Sequence, residues 1–263
     1  MTGPWTQDGH QVRFDWGTAG ADAVCGGSTI VAVVDVLSFT TTVTVAVAHG
    51  IAVRPYRWGD ASAADVARHH DAVLAVGRSQ AAGRGQLSLS PATVAGSNRV
   101  RRLVLPSPNG ATVTDRLAGS DATVIGVCLR NARAAAAWTR QRLRDQPDAV
   151  VAVIGAGERW PDGSLRPAAE DLWGAGAYLS HLADHGTGHR IGSMSPEAQT
   201  ATAAYAHAVG RLPDLLRDCA SGRELIRNGH PEDVAIATEC DVSAVVPVLT
   251  DGWFVDGAAP PIQ

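Results

Sequence analysis

Four places in this sequence carry side chains whose types and spacing suit chemistry on an anion. The first is Asp35, which interrupts the apolar run at 29–37 (TIVAVVDVL). A carboxylate cannot be buried there unpaired without a large desolvation cost. It needs a cation, strong hydrogen-bond donors or a metal ion, and the plainer alternative is that it caps the next helix or pairs an arginine. The second is Thr40-Thr41-Thr42, at the start of a predicted helix. Helix N-termini offer N–H groups and a favourable dipole to anions, and hydroxyls add donors. A threonine in that place also serves as an ordinary N-cap. The third is Asn109-Gly110, which by itself is only a turn signal. The fourth is Glu170-Asp171, one turn into a predicted helix. Neighbouring helix positions differ by about 100°, so the two carboxylates cannot point the same way. One is expected to face the site while the other caps or stays in solvent.

Two other constellations carry less. The run VVAVIGAG at 150–157 begins like a dinucleotide-binding fingerprint, but the third glycine would fall on Trp160 and the following helix starts too late. It is the only support for an NAD-binding oxidoreductase. His181, His185 and His189 have i, i+4 spacing, yet Gly186 and Gly188 interrupt the helix a metal site would need.

Composition removes several classes. All 22 Lys+Arg residues are arginine. Without lysine there is no P-loop lysine, no Schiff base and no lysine general base, so kinase, P-loop NTPase and pyridoxal-phosphate chemistries are excluded. Any side-chain cation that meets an anion is an arginine or a histidine. A net charge of −4 gives no footing for nucleic acid. The sequence shows no signal peptide and no membrane-length apolar span, so the expected location is cytoplasmic. The four cysteines, Cys25, Cys128, Cys219 and Cys240, form no CxxC pair and are expected to be reduced and mostly buried.

The elements that position these groups alternate. Strands are expected at 29–37, 72–77, 102–105, 122–127, 148–154 and 244–249, the last on an edge because of Pro247. Helices are expected at 43–49, 131–144, 167–184 with Pro167 opening it, 195–209, from a capping box at Ser221 to Gly229, and 231–240. Residues 1–28 are read as a mixed, Gly-rich segment. This alternation predicts a single layered α/β/α domain over 1–263 with a mostly parallel or mixed sheet. In such folds ligands bind beyond the carboxyl ends of the strands. There the sequence places Asp35, Arg78-Ser79 with Arg84 nearby, Ser107-Pro108-Asn109-Gly110, Cys128-Leu129-Arg130-Asn131 and Gly155-Ala156-Gly157-Glu158-Arg159. Acids, arginines, amides and glycines along one edge suit a metal and a phosphorylated ligand.

In order and spacing, VVDVLSFTTTV at 33–43, SLSP at 88–91, LPSPNGA at 105–111, Asn131-Ala132, AAEDLWGAGAYL at 168–179 and SGRELIRNGHPEDVAIATECDVSAVVP at 221–247 resemble the 2-phosphosulfolactate phosphatases. The resemblance spans residues 29–249. It implies Mg²⁺-dependent hydrolysis of 2-phosphosulfolactate to sulfolactate and phosphate, a step known from coenzyme M biosynthesis. Mg²⁺ needs only one or two protein carboxylates, which Asp35 and one of Glu170 or Asp171 could supply as metal ligands, and Asp35 as the catalytic residue could be either ligand or nucleophile. Thr40, Thr41, Asn109, Gly110, Asn131, Arg78 and Arg84 are the expected substrate contacts. The expected partner is a small phosphorylated acid, and where the chain assembles, a second copy of itself as a homodimer. The pattern departs from the family at Ser38, where an arginine is usual, at Arg78-Ser79 in place of Glu-Arg, and at Leu89 and Pro108. These changes bear on the substrate, and they motivate the alternative of a non-enzymatic binder of a small anionic metabolite.

Overall fold

A computed structural model describes residues 3–57, 59–81, 85–97, 100–184 and 192–257. The strands, in chain order, are β1 (Val12–Trp16), β2 (Ile30–Val34), β3 (Ala52–Arg57), β4 (Val73–Leu74), β5 (Arg102–Ser107), β6 (Thr123–Val127), β7 (Val151–Gly155), β8 (Glu158–Arg159), β9 (Leu165–Arg166), β10 (Pro247–Thr250) and β11 (Trp253–Asp256). The α-helices are α1 (Gly17–Val24), α2 (Phe39–Ala48), α3 (Ala63–His69), α4 (Arg78–Ala81), α5 (Pro91–Ala95), α6 (Gly110–Leu117), α7 (Ala132–Asp145), α8 (Ala169–Ala183), α9 (Pro196–Ala208), α10 (Leu212–Asp218), α11 (Ala220–Arg227) and α12 (Pro231–Ala237).

Nine strands form one mixed sheet in the order β1-β7-β2-β6-β10-β11-β3-β5-β4, and β8 pairs β9 separately. Two parallel blocks, β1-β7-β2-β6 and β3-β5-β4, are joined by the antiparallel hairpin β10–β11. The layered α/β fold with a mixed sheet is therefore as expected.

The unbroken apolar run of β2 has a direct cause in the layers. Ile30, Ala32 and Val34 pack into a core shared with α7, α8 and α9, whereas Val31 and Val33 face the opposite core with α1 and α6. Both faces are covered, so no polar alternation survives. A third core joins α2 to β3, β5 and β11 through Phe39, Val43, Leu103, Leu105 and Phe254.

Several boundaries differ from the sequence reading. Residues 1–28 hold β1 and α1, and β1 pairs β7 along its whole length. Strands β3 and β11 escape the pattern because each buries only one side chain fully and so presents no apolar run. The expected strand at 72–77 shrinks to β4 at the sheet edge. Strand β10 is interior, not an edge. Pro247 is its first residue, where a missing N–H is tolerated. Helix α8 opens after Ala168, so Pro167 lies before it. The cap of α11 is Cys219, whose sulfur accepts the Gly222 N–H, and Ser221 sits inside the helix. All four thiols are free, but only Cys128 is fully buried, and Cys240 is exposed. No helix among the described residues is long and apolar enough to cross a membrane.

Candidate active site

Strand β2 delivers Asp35 to the point where α2 and α6 begin. Its Oδ1 accepts the Phe39 N–H at 3.0 Å and its Oδ2 accepts the Gly110 N–H at 2.8 Å. One carboxylate thus caps two helices, so the capping alternative holds as well. It occupies the anion position that both N-termini create. Gly110 permits the approach. A Cβ there would stand 2.4 Å from the Phe39 ring and 2.6 Å from Asp35 Oδ2.

The opposing effects on Asp35 can be ranked. The two N–H donors and the nearby Arg78 guanidinium favour the charged form, while burial and the charge of Glu170 oppose it. Burial wins, and the carboxyl is pushed up to about 6. Glu158, half-buried on β8, accepts the Asn109 side-chain N–H at 2.8 Å. Burial first, then the charges of Asp35 and Glu170, raise it to about 7. Asp35 and Glu158 thus both feel the charge of Glu170, and Glu158 also feels that of Asp35.

Glu170 and Asp171 are both buried, so neither stays in solvent. They part in role, as their angular separation requires. Asp171 accepts the Val36 N–H at 2.7 Å on one oxygen and the Gly157 N–H at 2.9 Å on the other. It ties the loop after β2 to the loop after β7. Burial, with the charges of Asp35 and Glu170, raises it well above the carboxylate range. Glu170 turns instead toward the Cys219 thiol and the other two acids, and burial plus Glu170 hold that thiol up at about 12. Of the expected metal trio, Asp35 and Asp171 each give both oxygens to backbone N–H groups, and each oxygen keeps a second lone pair, while among the described residues Glu170 accepts no backbone N–H. Among the described residues no three His, Cys, Asp or Glu side chains form a ready metal cage.

Three expected substrate contacts are internal braces. Thr40 Oγ1 donates to the Asp35 carbonyl at 2.8 Å, Thr41 Oγ1 to the Val36 carbonyl at 2.7 Å, and both residues are fully buried. Asn131 accepts the Cys128 N–H and donates to the carbonyls of Gly126 and Val245, also fully buried. These groups satisfy the polar backbone of the sharp turns beside the acids. Arg78 does reach the site: its Nη2 donates to Ser38 Oγ at 2.7 Å and to the Leu89 carbonyl at 3.1 Å. Arg84 lies outside the described residues, as do His185 and His189. His181 pairs Asp241 at 2.9 Å.

A cavity of about 160 Å³ opens beside the acids, lined by Asn109 and Glu158 together with Trp16, Gly17, Thr112 and Leu165. A larger hollow of about 400 Å³ among Pro4, Asp8, His10 and Glu197 shares no residue with the site. The sequence reading left out Glu158, Asp233 and Ser90 as site residues. Glu158 stood in the motif after β7, and its pairing with Asn109 was the missing signal. Asp233 and Ser90 lie in motifs quoted for the resemblance but gave no sign of their partner.

The model for the family described as 2-phosphosulpholactate phosphatase matches residues 23–252. A protein of Symbiobacterium thermophilum named "Probable 2-phosphosulfolactate phosphatase" is 26% identical over 235 residues, covering 86% of this chain and 93% of that protein. One of the same name from Parasynechococcus marenigrum is 30% identical over 225 residues, covering 82% and 86%. The matched span begins before β2 and ends at the β10–β11 turn, so it takes in every element that carries the acids. With that coverage, the chain belongs to the 2-phosphosulpholactate phosphatase family, whose members are phosphoric monoester hydrolases.

Proposed function

We propose that this chain is a Mg²⁺-dependent phosphatase that converts 2-phosphosulfolactate, or a small phosphorylated hydroxy acid close to it, to the hydroxy acid and phosphate. The carrying observation is the group of three acids around the doubly anchored Asp35. The charge of Glu170 raises the protonation of Asp35 and of Glu158, and that of Asp35 raises Glu158, so the arrangement gains from a cation. The donors are carboxylate oxygens, which suit Mg²⁺, and this ion needs only one or two protein carboxylates. Asp35 and Glu170 would hold it. When bound, it supplies charge neutralisation to the phosphoryl group.

The chain's own residues do the rest. The N–H groups of Phe39 and Gly110 fix the Asp35 carboxylate in orientation. Asn109 fixes Glu158, whose protonation near neutral pH suits it to carry a proton for the reaction. In hydrolysis a water oxygen bonds to phosphorus, the bond from phosphorus to the ester oxygen breaks, and that oxygen takes up a proton.

The test is phosphate release from 2-phosphosulfolactate and phospholactate, with Mg²⁺ and with EDTA. The expected result is release that requires the ion. Tight binding of these acids without turnover would make the chain a metabolite binder instead. A quenched-reaction search for aspartyl-phosphate distinguishes attack by water from attack by Asp35.

A further inference from the structure

The residues around Arg78 form a chain of contacts that the acid cluster does not explain. Asp233, on α12, is 1% exposed. One of its oxygens accepts the Arg78 Nε–H at 3.1 Å, and the other accepts the Ser90 hydroxyl. The Arg78 Nη2 group is held by Ser38 Oγ and the Leu89 carbonyl. Thr42 Oγ1 fixes that same Leu89 carbonyl at 2.9 Å. Three segments distant in sequence thus converge on one guanidinium. Among the described residues nothing is placed on its Nη1 group. The Arg78 side chain is 21% exposed, so it keeps a face toward solvent.

We propose that Asp233 is a positioning residue that aims Arg78 at an anionic oxygen of the substrate, with Ser90 and Ser38 completing the clamp. The inference rests on the phosphatase reading above. Its logic is charge and pre-organisation. A phosphorylated acid brings two anionic groups into a site already lined by Asp35, Glu158 and Glu170. One cation at the acids leaves the second anionic group without a partner. No lysine exists to supply one. Arg78 is close enough to Asp35 for its charge to favour the ionised carboxylate. A guanidinium has five donors in a planar fork, and those toward Asp233, Ser38 and Leu89 fix the plane while the Nη1 edge stays available. A salt bridge serving only as a brace between α4 and α12 would not need Nη2 fixed on two further acceptors with Nη1 left without a hydrogen bond among the described residues.

The experiment compares wild type with Arg78→Ala, Asp233→Asn, Ser90→Ala and the Arg78→Ala/Asp233→Asn double variant. It reads kcat and KM for 2-phosphosulfolactate and phospholactate at saturating Mg²⁺. It also reads calorimetric Kd values for sulfolactate, phospholactate and inorganic phosphate, with urea midpoints for folding. Arg78→Ala should raise KM and Kd about tenfold to a hundredfold, the loss of a hydrogen bond to a charged group, and KM should move more than kcat. Asp233→Asn should follow in the same direction. The double variant should be no worse than Arg78→Ala, because Asp233 acts through the arginine. Ser90→Ala, a small change that keeps the ion pair, should give a lesser rise and keeps the idea testable if Asp233→Asn unfolds. Unchanged KM and Kd in Arg78→Ala would overturn the proposal, as would additive losses in the double variant. So would a wild type that binds none of the three calorimetric probes. A wild type that binds but does not turn over removes the phosphatase reading alone, and the Kd comparison still decides the role of Asp233.

Discussion

Asp35→Asn should alter how the stability of the metal-free protein depends on pH. In the wild type, burial lifts this carboxyl from its ordinary 3.8 to about 6 despite two backbone donors. Between those values the folded protein keeps a proton that the unfolded chain has released. Stability therefore falls as pH rises through this window, by about 3 kcal/mol in all once both states are ionised. Glu158 adds a fall of the same sign as pH rises from 4.5 to about 7. Asparagine cannot ionise, so the share belonging to Asp35 disappears, and the share of Glu158 shrinks because the Asp35 charge is one of its causes. A second effect opposes this at every pH. Both carboxylate oxygens accept backbone N–H groups. The asparagine amide must place its NH₂ against one of those donors, which costs about 1–3 kcal/mol. The variant should thus be less stable than wild type near about pH 4. By about pH 8 the gap should shrink by about 3 kcal/mol, leaving the two level or the variant ahead. Urea unfolding in EDTA across this range measures it. Added Mg²⁺ should stabilise the wild type at the high-pH end and leave the variant nearly unmoved. Parallel pH profiles for the two proteins would refute the reasoning.

Glu170→Gln should abolish Mg²⁺-dependent phosphate release with a small change in urea midpoint, since no backbone donor among the described residues depends on it. Asp171→Asn should lose about 1–3 kcal/mol of stability, because one of the N–H groups of Val36 and Gly157 loses its acceptor. Chemical denaturation separates the two variants. Gly110→Ala should destabilise by about 1–3 kcal/mol through overlap with Phe39 and displace the Asp35 carboxylate, so thermal melting and phosphate release should fall together. Asn131→Ala should cost stability while leaving the KM of the remaining folded enzyme near wild type, because its amide serves only backbone groups.

Composition and residue pattern were enough to reach the class of fold and the first acid of the site. The run through β2 had to be a strand covered on both faces, because only that arrangement hides five consecutive apolar side chains. A carboxylate at its carboxyl end had to find donors. The absence of lysine settled which side chains could meet an anion. What each polar residue does depends on which backbone groups folding brings beside it. Thr40, Thr41 and Asn131 have hydroxyls and amides suited to a ligand, but the carbonyls and N–H groups they satisfy belong to backbone brought close by folding. Adjacent Glu170 and Asp171 bring the same carboxyl group, and only the position of α8 against Val36, Gly157 and Cys219 gives them different tasks. Glu158 gains its place from Asn109, 49 residues away, and Arg78 gains its direction from Asp233, 155 residues away. Periodicity reads neighbours along one element. A pairing across such distances depends on how the sheet sets its loops side by side, and no local pattern records it.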